Sequence, residues 1–266
     1  RLAHLLERVH AIEGIDRIRF VTSFPADWDA DIFRVMRDYP RVCPYLHIPA
    51  QSGSDHMLKA MKRGYTAAEY LRLMDTARKY VPDIALAGDF IVGFCGETED
   101  DFRATVKLIR RVEYKSIFVF KYSPRPGTAA DRGQTDDVPA EVKARRNNEL
   151  LAVQADISLK QKQAFVGRTV EVLVEGYSKK AGAADEACAM ESVGAGDAAR
   201  GQLVGRTPQD LIAVFDGEAR YIGALVNVRV ESVSALTLFG RIEGVISPAR
   251  GAVKPSGMTL PILAEG

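Results

Sequence analysis

The sequence predicts an α/β protein in which a partial (βα) barrel is joined to a small all-β barrel. Three observations carry that expectation. Four β-rich runs in the first half are each followed by a helical pattern, one long helical pattern covers 140–165, and beyond it the hydrophobic period falls to two, with glycines cutting the runs. Near-continuous apolar strands belong to parallel sheets covered on both faces, whereas period-two strands belong to antiparallel sheets with one wet face.

The opening "RLAHLLERVHAIEG" is already amphipathic helix, without initiator Met, cap or leader, as in a segment of a longer protein. Strands are predicted at "DRIRFVTS" (16–23), "YLHIP" (45–49), "IALAGDFIVGF" (84–94) and "SIFVFKYS" (116–123). Between them, Thr66 with Glu69 and Thr98 with Asp101 predict capping boxes, and Gly64 is expected to stop the helix begun by "DHMLKAMKR". Repeated strand–helix units imply right-handed crossovers and one parallel sheet, half of a closed eight-unit barrel. The Pro/Gly-rich "SPRPGTAADRGQTDDVP" then leads into the long helix, closing a first domain at 1–165. The second domain, 166–245, is expected to hold strands at 168–178, 210–216, 224–234 and 237–243. Its Ala/Gly-rich stretch 181–202 reads as a mobile insertion, and 246–266 as an irregular tail.

Composition excludes some functions. With 36 Lys+Arg against 35 Asp+Glu, the 266-residue chain is no polycation that coats nucleic acid. No apolar run approaches the roughly 20 residues that cross a bilayer, so no membrane role is expected and the default location is the cytoplasm. Cys43, Cys95 and Cys188 are odd in number and far apart, which argues against a disulfide framework and against CxxC metal spacing; each reads as a buried thiol.

Candidate chemistry gathers just past the strands. Asp89 and Ile91 share one face of their strand and Phe90 and Val92 the other, so the Asp89 carboxylate points into the barrel or at a helix. A buried charge needs partners, and a ribose diol offers two donors to one carboxylate; a structural cap on a neighbouring loop is the alternative. Gly93 in "GFCG" would let a backbone approach a flat or anionic ligand. In "HIPAQSGSD", Gln51, Ser52 and Ser54 surround Gly53 before a helix begins, which suits an anion or simple capping. Arg63 is either a charge on a helix carboxyl end or a clamp on a ligand carboxylate. Lys121 and Arg125 close the last strand, with Arg125 read as solvated.

Together "YLHIPAQSGSDHMLKAMKRGYTAAEYL", "DFIVGFCGETEDDF" and "YSPRPGTAA" resemble the MiaB-type methylthiotransferases, radical S-adenosylmethionine (SAM) enzymes, across residues 1 to about 165. "VGRTVEVLVEGYSKK" with "GRTPQDLIAVFDG" resembles the TRAM domain of those proteins. The resemblance implies a radical-SAM partial barrel and a TRAM barrel, a monomer, and methylthiolation of a dimethylallyl-modified adenosine beside the anticodon of tRNA. It also implies SAM, two 4Fe-4S clusters and an electron donor protein. A sister methylthiotransferase acting on threonylcarbamoyladenosine or on a ribosomal protein, and a non-catalytic RNA-binding module, are the rival readings.

Carried over by position, Gln51 and Asp89 resemble contacts to the SAM ribose and methionine part, with Ser52 beside them. Arg63 resembles the carboxylate clamp, and Ile91 with the backbone at Gly93 the adenine wall. The family's CxxxCxxC motif and its three amino-terminal cysteines are not in this sequence, and Cys95 stands where Pro is more usual. The chain by itself is therefore expected to carry neither iron nor activity. For tRNA the candidates are Arg168, Lys179, Lys180 and Arg206, although 8 Lys+Arg against 11 Asp+Glu over 167–245 leave that region at −3.

Overall fold

The computed structural model describes residues 1–21, 30–178 and 200–249. The first domain contains α1 (Leu2–His10), α2 (Ala30–Asp38), β1 (Tyr45–His47), α3 (Asp55–Ala60), α4 (Ala67–Tyr80), β2 (Ala85–Val92), α5 (Glu99–Val112) and β3 (Ser116–Lys121). The strands form a parallel sheet in the order β1-β2-β3, with Leu46 opposite Leu86 and Asp89 opposite Phe118.

One face of this sheet is covered. Leu46, Leu86, Phe90, Val92 and Ile117 are buried against Tyr70, Met74, Phe102, Ile109 and Tyr114. Removing Phe90, fully buried there, would cost about 3–5 kcal/mol. The Tyr114 hydroxyl donates to Tyr70 (2.9 Å), which donates to the Ile48 carbonyl (2.8 Å), tying helix and loop to the end of β1. Both capping boxes form, at Thr66/Glu69 on α4 and Thr98/Asp101 on α5.

The expected strand at 16–23 contributes, among the described residues, only a bridge from Ile18 to Val42. Cys43 N–H donates to Ile18 O, but Tyr45 N–H, which would carry the ladder onward, is taken by Cys43 O (2.8 Å). Gly64 does not stop α3. The helix ends at Ala60, and Lys62 takes the left-handed conformation (φ 55°) while Arg63 N–H reaches back to Leu58 O and Lys62 N–H to Lys59 O. This is a Schellman closure with lysine in the position glycine usually fills.

Helices α6 (Ala129–Gly133) and α7 (Ala140–Gln163) lead to a closed barrel of β4 (Thr169–Tyr177), β5 (Arg200–Arg206), β6 (Ile212–Glu218), β7 (Leu225–Val233) and β8 (Thr237–Ser247), ordered β4-β5-β6-β8-β7. Val172, Val174, Leu203, Phe215, Val226, Val228 and Leu238 fill it. Strand β5 was not expected, and its first three residues fall in the stretch read as an insertion; Gly201 and Gly205 erase its alternation. Gly205 is required, because a Cβ there would collide with the backbone of Leu173. Strand β8 continues to Ser247, two residues into the expected tail, held by its ladder to β7. The rest of 181–202 up to 199, most of the tail and Cys188 lie outside the described residues.

The β5–β6 hairpin docks at the amino ends of the parallel strands. Arg17 donates to Arg206 O and to Glu171 (2.7 Å), Arg19 donates to Thr207 O (2.8 Å), and Gln209 donates to Asp83 (3.1 Å). Asp210 gathers three cations: Lys115 (2.6 Å), Arg19 (2.9 Å) and Arg206 (2.9 Å).

Candidate functional site

The opposite, carboxyl end of the sheet carries the candidate residues. After Pro49 and Ala50 the chain returns alongside β2: Gln51 N–H donates to Asp89 O (2.7 Å) and Ile91 N–H donates to Gln51 O (2.9 Å). Gln51 is buried with φ 65°, a left-handed conformation costing an ordinary residue about 1–2 kcal/mol. Those two hydrogen bonds hold it there. Non-glycine residues in such conformations cluster at functional sites.

Asp89 and Ile91 project from the face of the sheet opposite Leu86, Phe90 and Val92, together with His47, Phe118 and Phe120; Ile91 packs there beside Met57 of α3, Phe94 and Cys95. The Asp89 Oδ1 atom is 2.9 Å from His47 Nε2, and the His47 ring lies flat on Phe118, with centroids 5.7 Å apart and planes within 5°. Phe118 and Phe120 are 53% and 55% exposed. Sequence reasoning passed over these three residues. The period-two signal was present in "YLHIP" and "SIFVFK", but it was masked by the near-continuous apolar character of both strands.

Arg63 lies close enough to Tyr65 for its charge to act on the Tyr65 hydroxyl. Tyr65, two residues on, donates to Pro49 O (3.2 Å) and Ala50 O (3.1 Å); burial, against the opposing Arg63 charge, pushes its hydroxyl up to about 12. Arg63 Nε is buried without a hydrogen-bond partner. Gln51, Asp89 and Ile91 are thus stitched together on adjacent backbone, with Arg63 on the segment beside them.

Ser52 and Gly93 serve packing. Ser52 is buried with its hydroxyl 3.3 Å from Thr105 Oγ1 and accepts from Ser54 N–H, so it faces α5. Ser54 caps α3, accepting from Met57 N–H and donating to Asp101 (2.5 Å); this is the capping alternative for the "QSGSD" segment. Burial raises the Asp101 carboxyl, but hydrogen bonds from Ser54, Thr98 and His56 outweigh it and hold it at about 2. Gly93 has φ 70°, and the direction its Cβ would take is filled by the stem of Lys143 from α7. Its N–H donates to Glu97 (2.6 Å), which pairs with Arg146 (2.7 Å). Burial raises the Glu97 carboxyl against the pull of Gly93 N–H and Arg146. Lys121 and Arg125 are exposed.

The donor set fits a sulfonium nucleoside: a carboxylate with one oxygen bound and the other without a partner among the described residues, and a guanidinium with an orphaned N–H. It does not fit an iron–sulfur cluster. Cys43 is buried beside Ile18, Cys95 is buried against Met57 and Phe94, and no group of three His, Cys, Asp or Glu among the described residues could hold a metal. Burial also pushes the Cys43 thiol up, the wrong direction for a ligand.

Of the RNA candidates, Arg168 is exposed where α7 meets β4. Arg206 is not a free cation: it is bound to Asp210 and to Glu175 (3.3 Å) at the junction of the domains. Lys179 and Lys180 lie outside the described residues.

Residues 1–109 match the radical SAM superfamily, and residues 194–242 match the TRAM domain. A tRNA-2-methylthio-N(6)-dimethylallyladenosine synthase of Rhodopirellula baltica is 51% identical over 92% of this chain and 49% of its own length; one of Sulfurihydrogenibium is 43% identical over 90% and 50%. The chain spans about half the length of these curated relatives. The solved coproporphyrinogen III oxidase (HemN) of Escherichia coli, a radical SAM enzyme, aligns over 59% of this chain and 36% of its own at 21% identity and a TM-score of 0.47. The chain belongs to the radical SAM superfamily, in the MiaB-type branch that joins a radical SAM domain to a TRAM domain.

Proposed function

We propose that the protein to which this chain belongs methylthiolates C2 of N6-dimethylallyladenosine beside the anticodon of tRNA, and that this chain supplies much of its SAM cradle and an RNA-facing barrel. The observation that carries the reading is the juncture of Gln51, Asp89 and Ile91 at the carboxyl end of a parallel sheet, in a chain 51% identical to such a synthase. When bound, SAM supplies the methyl group and the radical precursor, and the iron–sulfur clusters supply electrons and sulfur.

The residues present bind and orient. The unpartnered Asp89 oxygen would accept from a ribose hydroxyl or the methionine ammonium, the Arg63 guanidinium would clamp the methionine carboxylate, and Ile91 would give an apolar wall. Two 4Fe-4S clusters would be held by cysteines beyond this chain, and an electron donor protein would serve them. No helix among the described residues is long and apolar enough to cross a membrane; the action on tRNA is placed in the cytoplasm as part of the proposal.

The test uses the whole protein with its clusters reconstituted. Asp89→Ala and Arg63→Ala should each weaken SAM binding by calorimetry roughly tenfold or more, the loss of a hydrogen bond to a charged group, without changing iron content. Wild-type affinity in both variants would sink the cradle. Absence of the methylthiolated nucleoside from tRNA digests after reaction with the wild-type protein would sink the activity.

A further inference from the structure

We propose that His47 is a positioning residue that fixes the Asp89 carboxylate, so that a single oxygen is presented to the ligand; this rests on the reading of Asp89 as a SAM contact. An ionised carboxylate only accepts, so at 2.9 Å from Asp89 Oδ1 the His47 Nε2 atom carries the hydrogen. The imidazole is held from a second direction by Phe118, the cross-strand partner of Asp89, in a flat stack.

A ring held at its edge by a carboxylate and flanked by a parallel ring on the neighbouring strand is restricted in its rotamers, and it transmits that constraint to Asp89. A lone aspartate on an open sheet face would otherwise turn either oxygen outward. Locking Oδ1 onto His47 turns Oδ2, with both its lone pairs open, toward the ligand, which is the pre-organisation a diol or ammonium needs before it binds. His47 stands at the last position of β1, where the strand is paired to β2 through Ala87, so its backbone cannot drift.

The experiment measures SAM affinity by calorimetry on the full-length reconstituted protein, with thermal melts to check folding. His47→Ala should weaken SAM about tenfold, as expected for losing a charge-assisted hydrogen bond. His47→Gln, whose amide nitrogen can reach the same place, should restore affinity to within about threefold of wild type on the same grounds. In an Asp89→Ala background, His47→Ala should change affinity no further, since the group it orients is gone.

Full affinity in His47→Ala, no rescue by Gln, or additive losses in the double variant would overturn the positioning role while leaving the cradle intact. Full affinity in Asp89→Ala would remove Asp89 as a SAM contact, and the positioning role with it, whatever Arg63→Ala shows.

Discussion

Replacing Asp210 with Asn removes the one carboxylate shared by Lys115, Arg19 and Arg206 while keeping size and shape. Asp210 sits at φ 61°, and Asn tolerates that conformation as well as Asp does, so the change reads charge and not backbone strain. Asp210 and Lys115 side chains are each 13% exposed, and breaking such a pair strands a buried ammonium at a cost of about 3–5 kcal/mol. Arg19 and Arg206 are more open to water, and each contributes at most about 1 kcal/mol. Since the cluster lies at a domain junction where some water can follow, the expected loss in docking is about 2–4 kcal/mol.

Amide exchange at the β5–β6 hairpin reads that loss directly. Protection of Thr207, Asp210 and Leu211 should fall roughly 30- to 1,000-fold, and one melting transition should separate into two. Adding Lys115→Met should recover part of it by removing the stranded charge. Unchanged protection and a single unchanged transition in Asp210→Asn would refute the claim that this cluster fixes the two domains to each other. Burial raises the Asp210 carboxyl, but Lys115, Arg206 and Arg19 outweigh it and hold it below its ordinary range. Its contribution is therefore present above the ordinary carboxylate range and is lost as pH falls through the depressed value; Asn should abolish that acid dependence.

Two further tests concern other buried charges. Asp101, held at about 2, should contribute about 2 kcal/mol that is lost as pH falls from near 4 toward 2, and urea midpoints of Asp101→Asn should be insensitive to pH across that window where the wild type is not. Lys162, on α7 with its ammonium on Ala235 O (2.8 Å), is pushed down to about 8 by burial and by the charge of Lys115. The unfolded chain then binds more protons between pH 8 and about 10.4, so stability should rise with pH across that interval by about 3 kcal/mol, and Lys162→Met should flatten the rise in urea titrations.

Much of the fold was legible because local signals and burial agreed. The two capping boxes form from their own residues, and strands β2 and β3 are apolar where they meet the helices. The signals failed where a residue answers to distant partners. Strand β5 owes Gly205 to the Leu173 backbone on the neighbouring strand β4. The bridge at Ile18 stops because Tyr45 N–H turns to Cys43. Lys62 takes a glycine's conformation because Arg63 and Lys62 N–H groups close the helix behind it. At the candidate site, Gln51 was singled out from its place after β1, Asp89 as a charge inside the apolar β2, and Arg63 as the charge beyond the end of α3. Ser52 and Gly93 could not be told apart from them, since burial against Thr105 and Lys143 depends on helices far along the chain.

The charge balance of the second barrel shows why a segment's net charge misreads its surface. Between 167 and 245 the count is −3, which argues against RNA. Yet Glu171 and Asp210 face Arg17, Arg19 and Lys115 of the first domain, and Glu175 pairs with Arg206 at the same junction. Taking those three acids and Arg206 out of the count leaves 7 cations against 8 acids in the rest of the 167–245 sequence. Much of the acidic excess is thus paired at the junction, where the barrel meets the amino ends of the parallel strands. Electrostatic opposition to a phosphate backbone falls accordingly; Arg206, the cation used in that seating, ceases to be a candidate for an RNA contact, and Arg168 remains one under the proposed function.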